Sequence, residues 1–440
     1  MRELFDSLIA GLFSSLHADE VLLAGFSGED SDFVRMNKGR VRQPGSVRQM
    51  AVGLDLIVGA RHAEGRITLS GQPDEDASRL RALLGELRRR VPILAEDPHL
   101  LFNTAVQNTE DVDSAVLPDA ADAIDAVLSS AEGTDLVGIW ASGAVHRGFA
   151  NSLGQRNWFT AHSFHLDWSL YAHGDKAVKS SYAGRSWVQG DFDSAMVRAR
   201  QQLAAVGRPA RTIDPGAYRV FLAPAALSEI VGLLDWGGFS LKAQRTRHSS
   251  LMAAVDGKQR LDPRVTLREN TADGFAPGFE GMGFVKPPSV TLFDGGSYAD
   301  PLISPRSARE FGVATNGANG RESAESFDLA GGGLARDGVL EALGTGILVN
   351  NLWYLNYSDR PSCRMTGMTR FATFWVEGGE LVAPINVMRF DDTAYRVLGD
   401  NLVDLTTERE LMLDAGTYER RSTGSARLPG ALVDGFELTL

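Results

Sequence analysis

The stretch from Tyr218 to Trp236, which reads YRVFLAPAALSEIVGLLDW, constrains the fold of this chain more than any other. The bulky, largely apolar residues from Tyr218 to Leu222 predict a buried strand. Pro224 suits the first turn of a helix. Apolar residues then recur at helical spacing, at Leu227, Ile230, Val231 and Leu234. The segment therefore predicts a strand that leads directly into a largely buried helix.

Length and charge limit the kinds of protein this chain can be. Its 440 residues exceed the roughly 100 to 200 residues of one domain, so we expect two or three packed units. With 43% hydrophobic and 23% charged residues, the composition is typical of a folded globular protein. A formal net charge of -12 argues against nonspecific binding to nucleic acid or to an anionic membrane.

The only cysteine is Cys363, which excludes a disulfide within the chain and a metal site made of cysteines alone. The first residues lack the unbroken apolar core of a signal peptide. No run approaches the roughly 20 apolar residues that a membrane span requires. These observations predict a cytoplasmic protein.

The N-terminal part combines helices with a strand meander. Apolar spacing from Leu4 to Leu16 predicts an amphipathic helix, and Asp74 to Arg90 predicts a second one. Between them lie four strand-like runs, at 20–26, 33–43, 47–60 and 66–70, with turns expected at Gly39 and Gly45. This pattern is typical of an α+β unit.

The remainder of the chain is rich in strands, with helices expected at 119–130 and 191–206. We predict an α+β fold, in which an N-terminal helix-and-strand-meander domain precedes a large, mostly antiparallel, strand-rich C-terminal domain. The predicted boundaries are 1–118 for the N-terminal domain and its connection, 119–215 for a middle helix and antiparallel sheet, and 216–440 for the strand-rich domain.

Nucleotide-binding loops, the serine-hydrolase elbow and a His-Glu zinc helix are missing from the sequence. The nearest metal-ligand candidates are His162, His165 and Asp167. Their surroundings predict a strand, on which positions three apart point to opposite faces, so surface or interface histidines are favoured over a metal site. Cys363 beside Arg364 is a candidate nucleophile, but a structural thiol is the more common case.

Two polar stretches are candidate contacts with a peptide or a partner protein. Arg35, Asn37 and Arg48 belong to a basic region of the N-terminal strands, for which solvated outward positions are the alternative. Tyr182 and Arg185 lie in a segment whose aromatic and glycine residues suit a groove for an extended chain, while packing in the core is the alternative.

The order of the elements resembles that of the TldD/PmbA family, whose paired subunits form a cytoplasmic, ATP-independent metalloprotease. The resemblance covers nearly the whole chain. It rests on the order of five strings, which are SSYAGRSW, YRVFLAPAALSEIVGLL, FDLAGGGLARDGVLEALGTGILVNN, FATFWVEGGELVAPINV and LPGALVDGFELT.

Catalytic subunits of that family resemble Leu-His-Glu-Ala-Val-Gly-His at the segment that reads LSEIVGL here. The two zinc-binding histidines correspond to Ser228 and Leu233, and only Glu229 of the motif remains. The third ligand in catalytic subunits is a cysteine near the C-terminus, where this chain has Ser422, Gly424 and Ser425. The resemblance therefore implies the non-catalytic subunit type, TldE or PmbA.

As such a subunit, the chain is expected to pair with a zinc-bearing TldD-type homologue and to help form a groove for extended peptides. Zinc is expected only in that partner, and a heterodimer is favoured over a homodimer. Glu229 is then a solvent-facing or ion-paired helix residue. The alternatives are a stand-alone peptidase or hydrolase with a different active site, around His162 or Cys363, and a peptide-binding homodimer without catalysis.

Overall fold

Two mixed sheets and the helices that cover them make up the computed structural model, which describes residues 1–174 and 176–440. The predicted α+β fold is confirmed. The helices are α1 (Arg2–Phe13), α2 (Pro73–Arg90), α3 (Ala120–Ser130), α4 (Gln189–Val206), α5 (Pro224–Leu234), α6 (Leu241–Arg245), α7 (Met252–Val255), α8 (Pro305–Phe311) and α9 (Val339–Leu343). None of them, over the described residues, has the length and apolar character needed to cross a membrane.

The N-terminal sheet has the strand order β3-β2-β1-β5-β6-β4, with β7 paired to β6. Its strands are β1 (Glu20–Asn37), β2 (Arg40–Val58), β3 (Arg61–Thr68), β4 (Thr109–Val112), β5 (Asp135–Asn151), β6 (Arg156–His173) and β7 (Lys176–Gly184). Helices α1 and α2 cover one face and bury residues such as Phe5, Leu80 and Val52 against it. The opposite face is available to the C-terminal half.

The predicted turn at Gly39 is confirmed, since Gly39 has a φ of 64° between β1 and β2. The predicted turn at Gly45 is wrong, because β2 runs through this residue and pairs it with Phe33. Residues 40–48 are all exposed, and a strand that is solvated along its length has the same polar, glycine-containing composition as a turn.

Strands of the middle segment extend the N-terminal sheet. β5 lies antiparallel to β1, from the pair Leu23 and Asn151 to the pair Met36 and Gly138. The boundaries at 118 and 215 stay a prediction, while the hydrogen-bonded ladder is continuous from β1 through β5 to β6 and β7.

The C-terminal sheet has the order β11-β10-β9-β12-β18-β16-β14-β13-β8, and β8 also pairs with β18. Its strands are β8 (Gly216–Leu222), β9 (Leu267–Glu269), β10 (Val290–Asp294), β11 (Ser297–Tyr298), β12 (Ser326–Leu329), β13 (Gly346–Asp359), β14 (Arg364–Glu377), β15 (Glu380–Pro384), β16 (Arg389–Thr393), β17 (Leu402–Leu413) and β18 (Ser425–Leu438). The strand and helix predicted at 218–236 are β8 and α5, so that prediction is confirmed.

Helix α5 lies on the C-terminal sheet because its apolar stripe matches the sheet's buried face. Leu227, Ile230 and Leu234 are buried there with Val220 of β8. On the other side of β8, Phe221 belongs to a second core that includes residues of α4, β6 and β14. Helix α4 therefore connects the two sheets through a shared apolar interior.

Candidate functional site

Helix α5 carries the positions at which the resemblance places zinc ligands. Ser228 is half-buried and its hydroxyl donates to the carbonyl oxygen of Ala225, 2.8 Å away. Leu233 is only 6% exposed and lies in the core of the C-terminal half. Glu229 is exposed to solvent, yet enough protein surrounds it that desolvation raises the pKa of its carboxyl, against the opposing charge of Lys179.

The two positions differ in their surroundings. Ser228 is partly open to solvent, whereas Leu233 points into the apolar core. A serine hydroxyl and a leucine side chain are not ligands of the kind that hold zinc in proteins, so the residues present do not fit a zinc ion.

The segment that follows β17 carries Ser422, Gly424 and Ser425, and Arg421 holds it against the N-terminal sheet. The Arg421 side chain is 2% exposed. Its Nη2 donates to the carbonyl oxygen of Ser163 at 2.9 Å and to its Oγ at 2.7 Å. Burial lowers the pKa of this guanidinium to about 10. This loop is therefore fixed to the sheet by a buried cation that binds neutral acceptors.

The structure places His162, His165 and Asp167 on β6, as predicted, and brings only two of them to one face. His162 pairs with Asp113, with 2.6 Å between Nδ1 and Oδ1. His165 is buried, which lowers its pKa to about 4, and burial raises the pKa of Asp167. His165 Nε2 has no hydrogen-bond partner in the described part of the chain.

Cys363 is fully buried, and that burial raises the pKa of its thiol to about 12. A nucleophilic cysteine requires a thiolate, which is formed in exposed, electropositive surroundings. The environment of Cys363 therefore favours a structural thiol.

Arg35, Asn37 and Arg48 lie on an arm formed by the far ends of β1 and β2. Arg35 and Arg48 are exposed, and Arg48 is 3.9 Å from a carboxylate oxygen of Asp30. Strand β3 pairs with β2 only over Ala51–Val58. The outer edge of β2 from 40 to 50 thus has no strand beside it among the residues described.

Tyr182 and Arg185 make contacts inside the chain. The Tyr182 hydroxyl donates to the carbonyl oxygen of Val188 at 3.2 Å. The guanidinium of Arg185 donates to the carbonyl oxygen of Gly274 and stacks on the ring of Phe275, 4.3 Å from its centroid. The Arg185 contacts join the N-terminal sheet to a loop of the C-terminal half, and the Tyr182 contact is local, which suits a positioning role for both residues.

A cavity of about 860 Å³ lies between the uncovered face of the N-terminal sheet and loops of the C-terminal half. The sheet side is formed by alternate residues of β1, β2, β3 and β5, and the loop side by residues such as Phe279, Met282 and Arg306. Sequence reasoning missed this cavity because its walls come from segments up to 400 positions apart, from Leu23 to Thr423. The only local signal is a pair of strand-interior glycines, Gly25 and Gly53.

One end of this cavity is acidic. His62 lies between two carboxylates, 3.0 Å from Asp55 and 3.6 Å from Asp97, and Arg306 pairs with Asp97 at 2.5 Å. The carboxylate of Glu64 is 4.0 Å from His62. Burial raises the pKa of Asp55 to about 6. The three groups Asp55, His62 and Glu64 converge closely enough to hold a cation.

Comparison with known proteins identifies the C-terminal half. Residues 215–440 match the family model described as the PmbA/TldA metallopeptidase C-terminal domain. No curated protein matches the chain.

Solved structures share the fold over nearly the whole chain. A Thermotoga maritima protein described as a proposed modulator of a DNA gyrase has a TM-score of 0.77 at 14% identity, covering 99% of each chain. TldE from Thermococcus kodakarensis has a TM-score of 0.77 at 12% identity, covering 99% of this chain and 100% of that one. A Bacteroides thetaiotaomicron protein described like the first has a TM-score of 0.73 at 16% identity, covering 100% of this chain and 98% of that one. At these identities the likeness establishes the fold.

Proposed function

Because this chain belongs to the PmbA/TldD metallopeptidase family, we propose that it is the non-catalytic partner subunit of a TldD/TldE-type cytoplasmic metalloprotease that processes unfolded peptides. The observation that carries this proposal is helix α5. The helix keeps the apolar residues that seat it on the sheet and has a hydroxyl and a leucine where the family's zinc ligands would stand.

The chemistry of α5 supports a role without catalysis. A hydrolytic zinc site usually needs three protein ligands and one open position. Zinc lowers the pKa of bound water toward neutrality, and a nearby carboxylate then accepts its proton. Glu229 has no such water to act on in this chain, and its raised pKa reflects desolvation alone.

The partner in this proposal is a zinc-bearing TldD-type homologue, and zinc belongs to that subunit alone. The free edge of β2 supports an assembly role, since unpaired strand edges offer hydrogen bonds to another chain. Arg35 and Arg48 stand on this exposed arm and would contact an acidic partner surface or an extended peptide.

Co-expression with a zinc-bearing homologue tests the proposal. We expect the two chains to copurify and the peptidase activity to require both of them. If no complex forms and the homologue's activity is the same with and without this chain, the proposal fails. Stoichiometric, tightly bound zinc in the isolated chain would equally contradict it.

Charge-reversal variants on the arm and on helix α2 can be compared within the same experiment. Charge reversal at Arg35 and Arg48 is expected to weaken the complex, because Arg48 is exposed on the free edge strand β2 and Arg35 is exposed on the neighbouring strand β1. Charge reversal at Arg89, exposed on α2 across the sheet, is the control. The alternative functions give other outcomes: peptidase activity of the isolated chain, or a homodimer that binds peptide and ignores the homologue.

A further inference from the structure

The floor of the large cavity is bare backbone. Gly25 and Gly53 face each other across β1 and β2. A Cβ added to Gly25 would meet nothing within 4 Å, and one added to Gly53 would meet only the carbonyl oxygen of Gly65 at 3.9 Å. Glycine inside a strand weakens the strand and marks places where a ligand or another backbone approaches closely. The space above these two residues is therefore open to a ligand lying flat on the sheet.

One end of the cavity carries arginines without acidic partners. Arg66 Nη2 and Arg420 Nη1 both donate to Ser27 Oγ, at 2.9 and 3.0 Å. Arg147 lies directly opposite Ser27 on β5 and donates to the carbonyl oxygen of His146 at 2.9 Å. None of the three guanidiniums has a carboxylate oxygen within 4.0 Å in the part of the chain that the structure describes.

The nearest acidic groups are already engaged. Glu29 accepts hydrogen bonds from Gln49 and from the backbone N–H of Arg421, and Glu325 pairs with Lys286. Burial, together with repulsion from Arg420, lowers the pKa of Arg147 to about 10. A partly desolvated positive charge of this kind is stabilised by an anion.

The acidic end lies further along the same strands. The guanidiniums of Arg66 and Arg420 meet at Ser27, which is paired with Ala51 of β2, and Asp55 stands four residues beyond Ala51. Four residues of an extended strand span about 13 Å. The cavity thus presents donors for an anion and acceptors for a cation at about the distance between the two ends of an extended peptide of four residues.

We infer that this cavity binds a short peptide of about four residues through both of its free termini. The carboxylate lies at Arg66 and Arg147, the ammonium group lies at Asp55 and Glu64, and the backbone lies over Gly53. The apolar wall formed by Phe149 and Phe279 receives a side chain. The choice of a peptide as the ligand rests on the proposed function, whereas the charges and spacing are properties of this chain alone.

Calorimetric titration of the purified full-length chain with the tetrapeptide Ala-Phe-Ala-Ala tests this inference, with EDTA present so that no metal occupies the acidic end. The N-acetylated and C-amidated forms of the same tetrapeptide are the matched ligands. Each cap removes one charge, and we expect each to weaken binding about tenfold to a hundredfold, because a charge-assisted hydrogen bond is lost.

Variants of the chain test the open cavity floor and the charged ends independently. Gly53→Val fills the open floor and keeps both charged ends, and Arg147→Met removes a cation; both are expected to lose measurable binding. Gly85→Val on α2, where a Cβ also meets nothing within 4 Å, and Arg89→Met are the controls and are expected to bind as the unmodified chain does. Thermal unfolding checks that each variant is folded.

Equal binding of the capped and uncapped tetrapeptides would overturn the inference, as would unchanged binding by folded Gly53→Val. Absence of any tetrapeptide binding, alongside a complex with the zinc-bearing homologue, would refute the inference and leave the proposed function intact. Tetrapeptide binding without such a complex would refute the proposed function and leave this cavity as a peptide site.

Discussion

Placing histidines at positions 228 and 233 of α5 is predicted to destabilise the chain without creating a zinc site. Ser228 is half-buried at the edge of the helix, while Leu233 points into the core. The imidazoles of Ser228→His and Leu233→His supply at most two of the three protein ligands that a hydrolytic zinc ion usually needs, and the C-terminal segment has Ser422, Gly424 and Ser425 where a third ligand would stand.

Most of the expected loss in the free energy of unfolding comes from the change at Leu233, which is 6% exposed. Removing a buried leucine side chain costs about 2 to 5 kcal/mol. An imidazole in the same apolar place adds about 1 to 3 kcal/mol if its N–H finds no acceptor, partly offset by its own apolar contacts. We therefore expect Leu233→His to lower the free energy of unfolding by about 3 kcal/mol. Ser228→His is expected to change it by roughly 0.5 kcal/mol or less, as is usual for partly exposed positions.

Urea denaturation of the two single variants and the double variant measures these costs, with and without added zinc. Zinc content after dialysis against a chelator measures binding. A double variant that retains one zinc ion per chain, and that zinc stabilises to the level of the unmodified chain, would show that this chain supplies a complete zinc site once the two histidines are present. That result would refute the reasoning from the missing third ligand, because a ligand stabilises only the state that binds it.

Three further predictions concern single residues. Glu229→Gln is expected to leave the peptidase activity of an assembled complex unchanged, because the carboxyl has no metal-bound water to serve; a large loss in a peptide-cleavage assay would show that the helix contributes to catalysis. Arg421→Ala is expected to lower the free energy of unfolding by about 2 to 4 kcal/mol, since two charge-assisted hydrogen bonds to Ser163 are lost and buried acceptors are left unpaired. The same change is expected to expose the loop at 414–424 to trypsin. Unchanged resistance to proteolysis would contradict the anchoring role. Asp235→Asn is expected to stabilise the chain at pH 8 and not near pH 4. Burial raises the pKa of Asp235 from 3.8 to about 7, so the folded state holds this proton more tightly than the unfolded state and loses stability as the pH rises from about 4 to about 7. This rise in pKa corresponds to at most about 4 kcal/mol of stability, and the prediction is refuted if urea denaturation gives the same difference in free energy of unfolding between variant and unmodified chain at both pH values.

Local patterns were sufficient for helices α1 to α5, while the shorter helices α6 to α9 were not predicted. The periodicity of apolar residues predicted α1, α2 and α4, and Pro224 with its following stripe predicted α5, because a helix is defined by contacts between near neighbours in sequence. The candidate zinc positions were likewise a matter of residue identity, since a serine and a leucine are not zinc ligands in any fold.

Strand boundaries were less predictable where the strand is solvated. The turn expected at Gly45 does not exist because β2 continues as an exposed edge, whose composition is that of a loop. The sequence left two interpretations open for Arg35 and for Arg185: contact with a peptide or partner, or an ordinary solvated or packed position. The structure shows Arg35 exposed and Arg185 in contact with Gly274, which the sequence could not decide because exposure depends on what else packs nearby.

By itself, then, the sequence determined the longer helices, the strand-rich class and the absence of histidines at positions 228 and 233, because each depends on residue type and on neighbours a few positions away. Only the tertiary structure decided that β5 pairs with β1, that Arg421 is buried against Ser163, and that Arg147 and Asp55 line one cavity. The residues in these pairs lie about 90 to 260 positions apart in the chain. The desolvation that shifts the pKa values of the buried charged groups arises only once these segments have packed together.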